Sequence, residues 1–174
     1  MFHRFLNRFY DFIDSLALWQ VMAVLVVMLL LAQQGFSGRR EALGGVELLD
    51  GRRWYTPLDA QALFNELGVQ RYYYAVTALT LDLIYPITYG LAFSILILRT
   101  WGPRFDWMLY FPLSAVAFDF LENIAITILI FSFDGGTSAF TWFAAVCTLV
   151  KSVLFIVSLV LVLNGGVIRM FRRL

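Results

Sequence analysis

Long apolar runs alternate with polar segments along the chain, at about residues 16–32, 74–98, 107–131 and 140–163. Each has the length, roughly 20 residues, that a helix needs to cross a hydrocarbon core of about 30 Å. Ahead of the first run, Phe2, Phe5, Leu6, Phe9, Phe12, Ile13 and Leu16 recur at helical spacing, with Arg4, Asn7, Arg8, Asp11 and Asp14 on the other side. That pattern predicts an amphipathic helix in the membrane interface, its aromatic side at the headgroup boundary and its arginines against anionic lipid. The first run itself is nearly uniform Leu, Val, Met and Ala and predicts a packing or lipid-facing helix.

Between the first two runs lies the one long polar stretch, 33–73. Gly35, Gly38, Gly44, Gly45 and Gly51 predict turns in its first half. In its second half, Thr56-Pro57-Leu58-Asp59 reads as an N-cap, a proline at the first helical position and an acid at the third, with the helix stopping at Gly68. Leu58, Ala62 and Leu67, with Leu63 or Phe64 beside them, form the expected apolar side. A helix this short is marginal in water, so it is expected to lie on the membrane surface or cap the bundle. Tyr72, Tyr73 and Tyr74 then make an aromatic belt at the start of the second run. The predicted fold is all-α: a polytopic membrane protein with four transmembrane helices in an antiparallel bundle, an N-terminal interfacial amphipathic helix and a short helix in the outer loop, all in one domain spanning 1–174.

Composition agrees. Hydrophobic residues make up 61% of the 174 and charged residues 14%, against about 25% charged in soluble domains. The formal net charge of +1 and the lack of a basic run with interleaved aromatics set nucleic acid aside. Cys147 is the single cysteine, so an internal disulfide and a CxxC site are both excluded, and it reads as a small packing residue. His3 is the single histidine, which rules out a zinc site of the common His or Cys kind and a serine or cysteine triad. The first run is too long for a signal-peptide core, and Ala32-Gln33-Gln34 makes a poor cleavage site, so that helix is expected to stay.

Positive charges set the expected orientation in the membrane. Arg4, Arg8, Arg99, Arg104, Arg169, Arg172 and Arg173 fall on the side of the termini, against Arg39, Arg40, Arg52, Arg53 and Arg71 on the other. Both termini are therefore predicted to be cytoplasmic and the long loop outside.

Candidate chemistry sits inside the apolar runs. Asp119, Glu122 and Asn123 stand at i, i+3 and i+4 and so share one helix face. Each central acid costs roughly 2.5–3.5 kcal/mol on insertion, while a neighbouring Leu, Ile, Phe or Val returns only about 0.3–0.6. Asp82, Tyr85 and Tyr89 form a polar stripe on the second run, and Pro86 frees the carbonyl of Asp82. The fourth run carries Lys151, the only lysine, with Thr148 one turn before it. Counting about 1.5 Å of rise per residue places Asp119 and Lys151 near the midplane and Asp82 and Glu122 together in a layer nearer the outer face.

Three acids with one base leave two negative charges unmatched, so either carboxyls stay protonated or a cation or a water-filled cavity compensates them. Three functions are open. The first is a carboxylate-rich site, made by Asp82, Tyr85, Tyr89, Asp119, Glu122, Asn123 and Lys151, that binds a small cation, a proton or a lipid-like molecule. The second is a lipid-modifying enzyme with paired carboxyls as acid and base. The third is a structural or partner-binding protein in which these residues hold the helices together. No cofactor is indicated, and a hard cation is the only metal the acids would suit.

The run YTPLDAQALFNELG, then LDLIYPITYG, then FDFLEN followed by a lysine in the last helix resembles a group of small bacterial four-helix membrane proteins of unassigned function. The resemblance covers about residues 55–151. It implies a four-helix membrane fold with the polar site as a shared feature, and it implies no activity.

Overall fold

A computed structural model describes residues 18–171; the amphipathic helix expected before Leu16 lies outside the described residues. The elements are α1 (Leu18–Ala42), a 3-10 turn (Leu49–Gly51), α2 (Pro57–Leu67), a second 3-10 turn (Gly68–Gln70), α3 (Arg71–Ala78), α4 (Leu81–Trp101), a 3-10 segment (Pro103–Leu109), α5 (Tyr110–Phe131) and α6 (Thr141–Phe171). No strand occurs among the described residues. Among the described residues, three helical stretches are long and apolar enough to cross a membrane: Pro57–Trp101, Arg104–Phe131 and Thr141–Arg169.

The first departure from expectation is α1, which runs without a turn through Gly35 and Gly38 to Ala42. Continuing the helix satisfies each backbone N–H and C=O within the segment, and it carries Arg39 to a buried position although Gly38 and Arg40 beside it are exposed. A Cβ at Gly35 would meet the Leu81 side chain at ordinary contact distance and one at Gly38 would meet nothing, so neither glycine is required by a turn or a close approach. The turn comes at Gly44 and Gly45, both at positive φ, where Gly45 N donates to the Arg40 carbonyl at 2.7 Å.

Thr56 caps α2 through a capping box. Its Oγ1 accepts from Asp59 N at 3.3 Å, and Asp59 Oδ2 accepts from Thr56 N at 2.7 Å. The buried side of α2 is Ala60, Leu63, Phe64 and Leu67 at i, i+3, i+4 and i+7, while Leu58 and Ala62 face outward. Leu58 and Ala62 are thus corrected: the stripe begins two residues later than expected. Those four residues join Leu43, Leu49 and Tyr55 in one apolar cluster with Ala125, Ile126, Leu129 and Ile130 of α5 and Ala144 and Ala145 of α6. The polypeptide between α1 and α3 is thereby folded onto the ends of α5 and α6.

The second departure is a break in the stretch 74–98. Helix α3 ends at Ala78, and Thr80 at φ −125°, ψ −76° separates it from α4. Asp82 therefore falls in the first turn of a new helix, where the exposed N–H dipoles favour a carboxylate. Further along, Gly90 lets α4 approach α5 so closely that a Cβ there would run into Val116.

Candidate functional site

The polar site is built from two groups, each a cation between two carboxylates. In the first, Lys151 Nζ of α6 lies 3.2 Å from Asp119 Oδ1 and in direct contact with Glu122 Oε2, both on α5. Thr148, one turn before the lysine, donates to Glu122 Oε1 at 2.6 Å. Tyr89 of α4 donates to Asp119 Oδ2 at 3.1 Å. Glu122 is fully buried. The face shared by Asp119 and Glu122, together with the 148/151 spacing on α6, suffices to assemble this group from two facing helices.

In the second group, Arg39 of α1 bridges Asp82 of α4 and Asp50 of the first 3-10 turn. The Asp50 contact is 2.7 Å, and the two carboxylates use different terminal nitrogens of the guanidinium. Tyr74 of α3, fully buried, donates to Asp50 Oδ1 at 2.7 Å. The Arg39 guanidinium also lies over the rings of Phe36, at 5.2 Å, and Tyr74, at 5.7 Å. Arg39 is only 7% exposed, although the sequence places it in an outer loop.

Asn123 joins the groups. Its Nδ2 donates to the backbone carbonyl of Asp82 at 3.2 Å and to Asp119 Oδ1 at 3.4 Å. The first bond answers the carbonyl that Pro86 leaves without its usual helical donor. A side chain on α5 thus repairs a backbone defect on α4.

Three expectations need correction. Asp82 and Glu122 do not form a pair: each has its own cation, Arg39 for Asp82 and Lys151 for Glu122. Tyr74 does not share an exposed belt with Tyr72 and Tyr73, which are about half exposed, but is part of the site. Asp50, Arg39 and Tyr55 also belong to the site, and the sequence alone does not point to them. The Tyr55 hydroxyl lies 3.4 Å from Thr148 Oγ1, and burial, the main cause, pushes its phenol pKa up, so it remains protonated. A continuous α1 would have been the signal for Arg39; nothing local marks Asp50.

Two cavities meet at these groups. One, a chamber of about 400 Å³, is lined by Asp82, Asn123, Arg39 and Phe36 among others. The other, about 430 Å³, is a cleft lined by Leu149, Val153, Phe155 and Ile156 of α6 and by Tyr89 and Arg53. Asp50, Tyr85, Asp119 and Lys151 line both. Tyr85 packs edge-on against Phe36 at 5.2 Å and Tyr89 at 5.4 Å between ring centres. Of the seven residues singled out in the sequence, Asp82, Tyr85, Asp119, Asn123 and Lys151 line the chamber and Tyr89 the cleft, while Glu122 lies behind the wall beneath Lys151.

Chemically, four carboxyls face two cations. Among the described residues no three His, Cys, Asp or Glu side chains are grouped so as to hold a metal ion. Arg39 and Lys151 stand between the acids instead. Compared with family models, curated proteins and solved structures, the chain matches none.

Proposed function

We propose that the protein is a multi-pass membrane protein whose chamber receives the polar head of a lipid-like molecule while the tail lies in the cleft. In this reading α1 is the first of four spans, both termini are cytoplasmic, and the membrane is a bacterial inner membrane. The burial of Arg39 removes one arginine from the loop side and leaves Arg40, Arg52, Arg53 and Arg71 there, which supports the same orientation.

The observation that carries the reading is the shared wall. A site for a water-borne cation or proton needs only the chamber. Here the same four residues also face an apolar cleft between α4 and α6, whose Val153 and Ile156 are about half exposed on the surface that would meet lipid. A polar recess and an apolar cleft that share four lining residues suit an amphiphile, with a few polar groups fixing its head. The Lys151 group, fully enclosed at Glu122, suits interhelical cohesion, and the Arg39 side of the chamber suits binding.

The test is native mass spectrometry of protein purified in mild detergent. Wild type is expected to retain one lipid-like molecule. Ser152→Trp, which fills the cleft from a half-buried position on α6, is expected to lose it while remaining folded. A wild-type protein without any bound amphiphile, or equal retention in the variant, overturns the reading.

A further inference from the structure

The chamber wall contains two buried acceptors without a donor. Asp82 Oδ2 is held by Arg39, but no donor reaches Oδ1. Asn123 Oδ1 likewise has none. Its orientation is not interchangeable, because rotating the amide would turn its oxygen toward the Asp82 carbonyl and Asp119 Oδ1, both acceptors. Asp82 is 4% exposed and Asn123 0%, and both line the chamber. A buried oxygen left unpaired is costly, and native proteins rarely keep one without a partner in some state.

The same wall carries more acid than base: Glu47, Asp50, Asp82 and Asp119 line the chamber against Arg39, Arg40 and Lys151. Arg39 and Lys151 are each already divided between two carboxylates. A neutral hydroxylated head would supply donors without charge. A metal ion would supply charge, but the two cations hold the acids apart and no metal-binding group of them forms among the described residues. An ammonium with N–H groups supplies both. The aromatic pair Phe36 and Tyr85 on the same wall suits a cation as well.

We infer that the chamber takes a primary ammonium head, carried by an amine-headed phospholipid, with Asp82 Oδ1 and Asn123 Oδ1 accepting its hydrogen bonds. This rests on the amphiphile reading above. Arg53, which lines the cleft, is placed to meet the phosphate of such a lipid where the tail leaves the chamber.

The experiment titrates purified, delipidated wild type with phosphatidylethanolamine, phosphatidylcholine, phosphatidylglycerol and free ethanolamine, reading occupancy by native mass spectrometry. Phosphatidylcholine keeps the charge and loses every N–H, and phosphatidylglycerol keeps hydroxyl donors and loses the cation. Phosphatidylethanolamine is expected to bind roughly tenfold or more tightly than either, as befits lost charge-assisted hydrogen bonds. Equal binding of the three lipids overturns the ammonium inference and leaves the amphiphile reading standing. Retention of free ethanolamine without lipid overturns the lipid source, and no binding at all overturns both. Asp82→Asn is expected to abolish the preference for phosphatidylethanolamine over phosphatidylcholine, whereas Asp134→Asn, in the α5–α6 connection, keeps it. If Asp82→Asn does not fold, the lipid series on wild type decides alone.

Discussion

The two ion groups use the same arrangement, a cation shared by two acids, and are built in opposite ways. Asp119, Glu122 and Lys151 come from two helices joined by a short connection and stack against each other face to face. Asp50, Arg39 and Asp82 come from three segments, with 11 and 43 positions separating the arginine from its partners. In the first group Glu122 is enclosed while Asp119 and Lys151 line the chamber, and all three members of the second group line it too. The difference teaches that one arrangement, a cation between two carboxylates, can be assembled either from two facing helices or from three segments distant in sequence. The helix-borne group is suited to cohesion, and the one assembled from a turn, a helix end and a helix start to adjustment around a ligand.

The largest effect should come from Lys151→Met, which strands two buried carboxyls and is expected to cost about 3–5 kcal/mol in reversible unfolding of the detergent-solubilised protein. Adding Asp119→Asn should restore only part of the loss, because Glu122 still needs the cation, and adding Glu122→Gln as well should restore most of it. Full recovery in the double variant would show that Glu122 does not depend on Lys151.

A smaller loss, about 1.5–3 kcal/mol, is expected from Arg39→Lys. One ammonium cannot present two separated nitrogens to Asp50 and Asp82 as the planar guanidinium does. Unchanged stability would mean that the bridge is a matter of charge alone, and the contrast between the groups would weaken.

The smallest concerns the link between the groups. Asn123→Leu removes the donor to the Asp82 carbonyl and should cost about 1–2 kcal/mol. Introducing Pro86→Ala into that variant restores a backbone N–H at the right position, so part of the loss should return. If Pro86→Ala is equally stabilising with Asn123 present, the side chain is not serving as a substitute donor.

The enclosed group was legible in the sequence because its geometry is helical. Spacing put Asp119 and Glu122 on one face, and counting rise per residue put Lys151 at the level of Asp119. The same count puts Asp82 level with Glu122, and Asn123 does reach the Asp82 carbonyl, but depth does not say which cation each acid meets: Asp82 turns to Arg39 and Glu122 to Lys151. Arg39 is hidden when Gly35 and Gly38 are read as turns, because the helix in fact runs through both to Ala42. Asp50 could not be found at all: it is one acid in a polar stretch, brought to the site by long-range packing. The freed carbonyl at Asp82 was legible from Pro86, but the identity of its donor depended on how α4 and α5 face each other.

The pairing across α5 and α6 also bears on how the chain is made. Lys151 comes 32 positions after Asp119, which at about 5–20 residues per second is a delay of roughly 2–6 s during synthesis. For that interval α5 carries two acids without their cation, each opposing entry into lipid by roughly 2.5–3.5 kcal/mol. In the membrane reading proposed above, Lys151 offsets one of the two carboxylates of α5 once α6 joins it, so the two helices enter more readily together than α5 does alone.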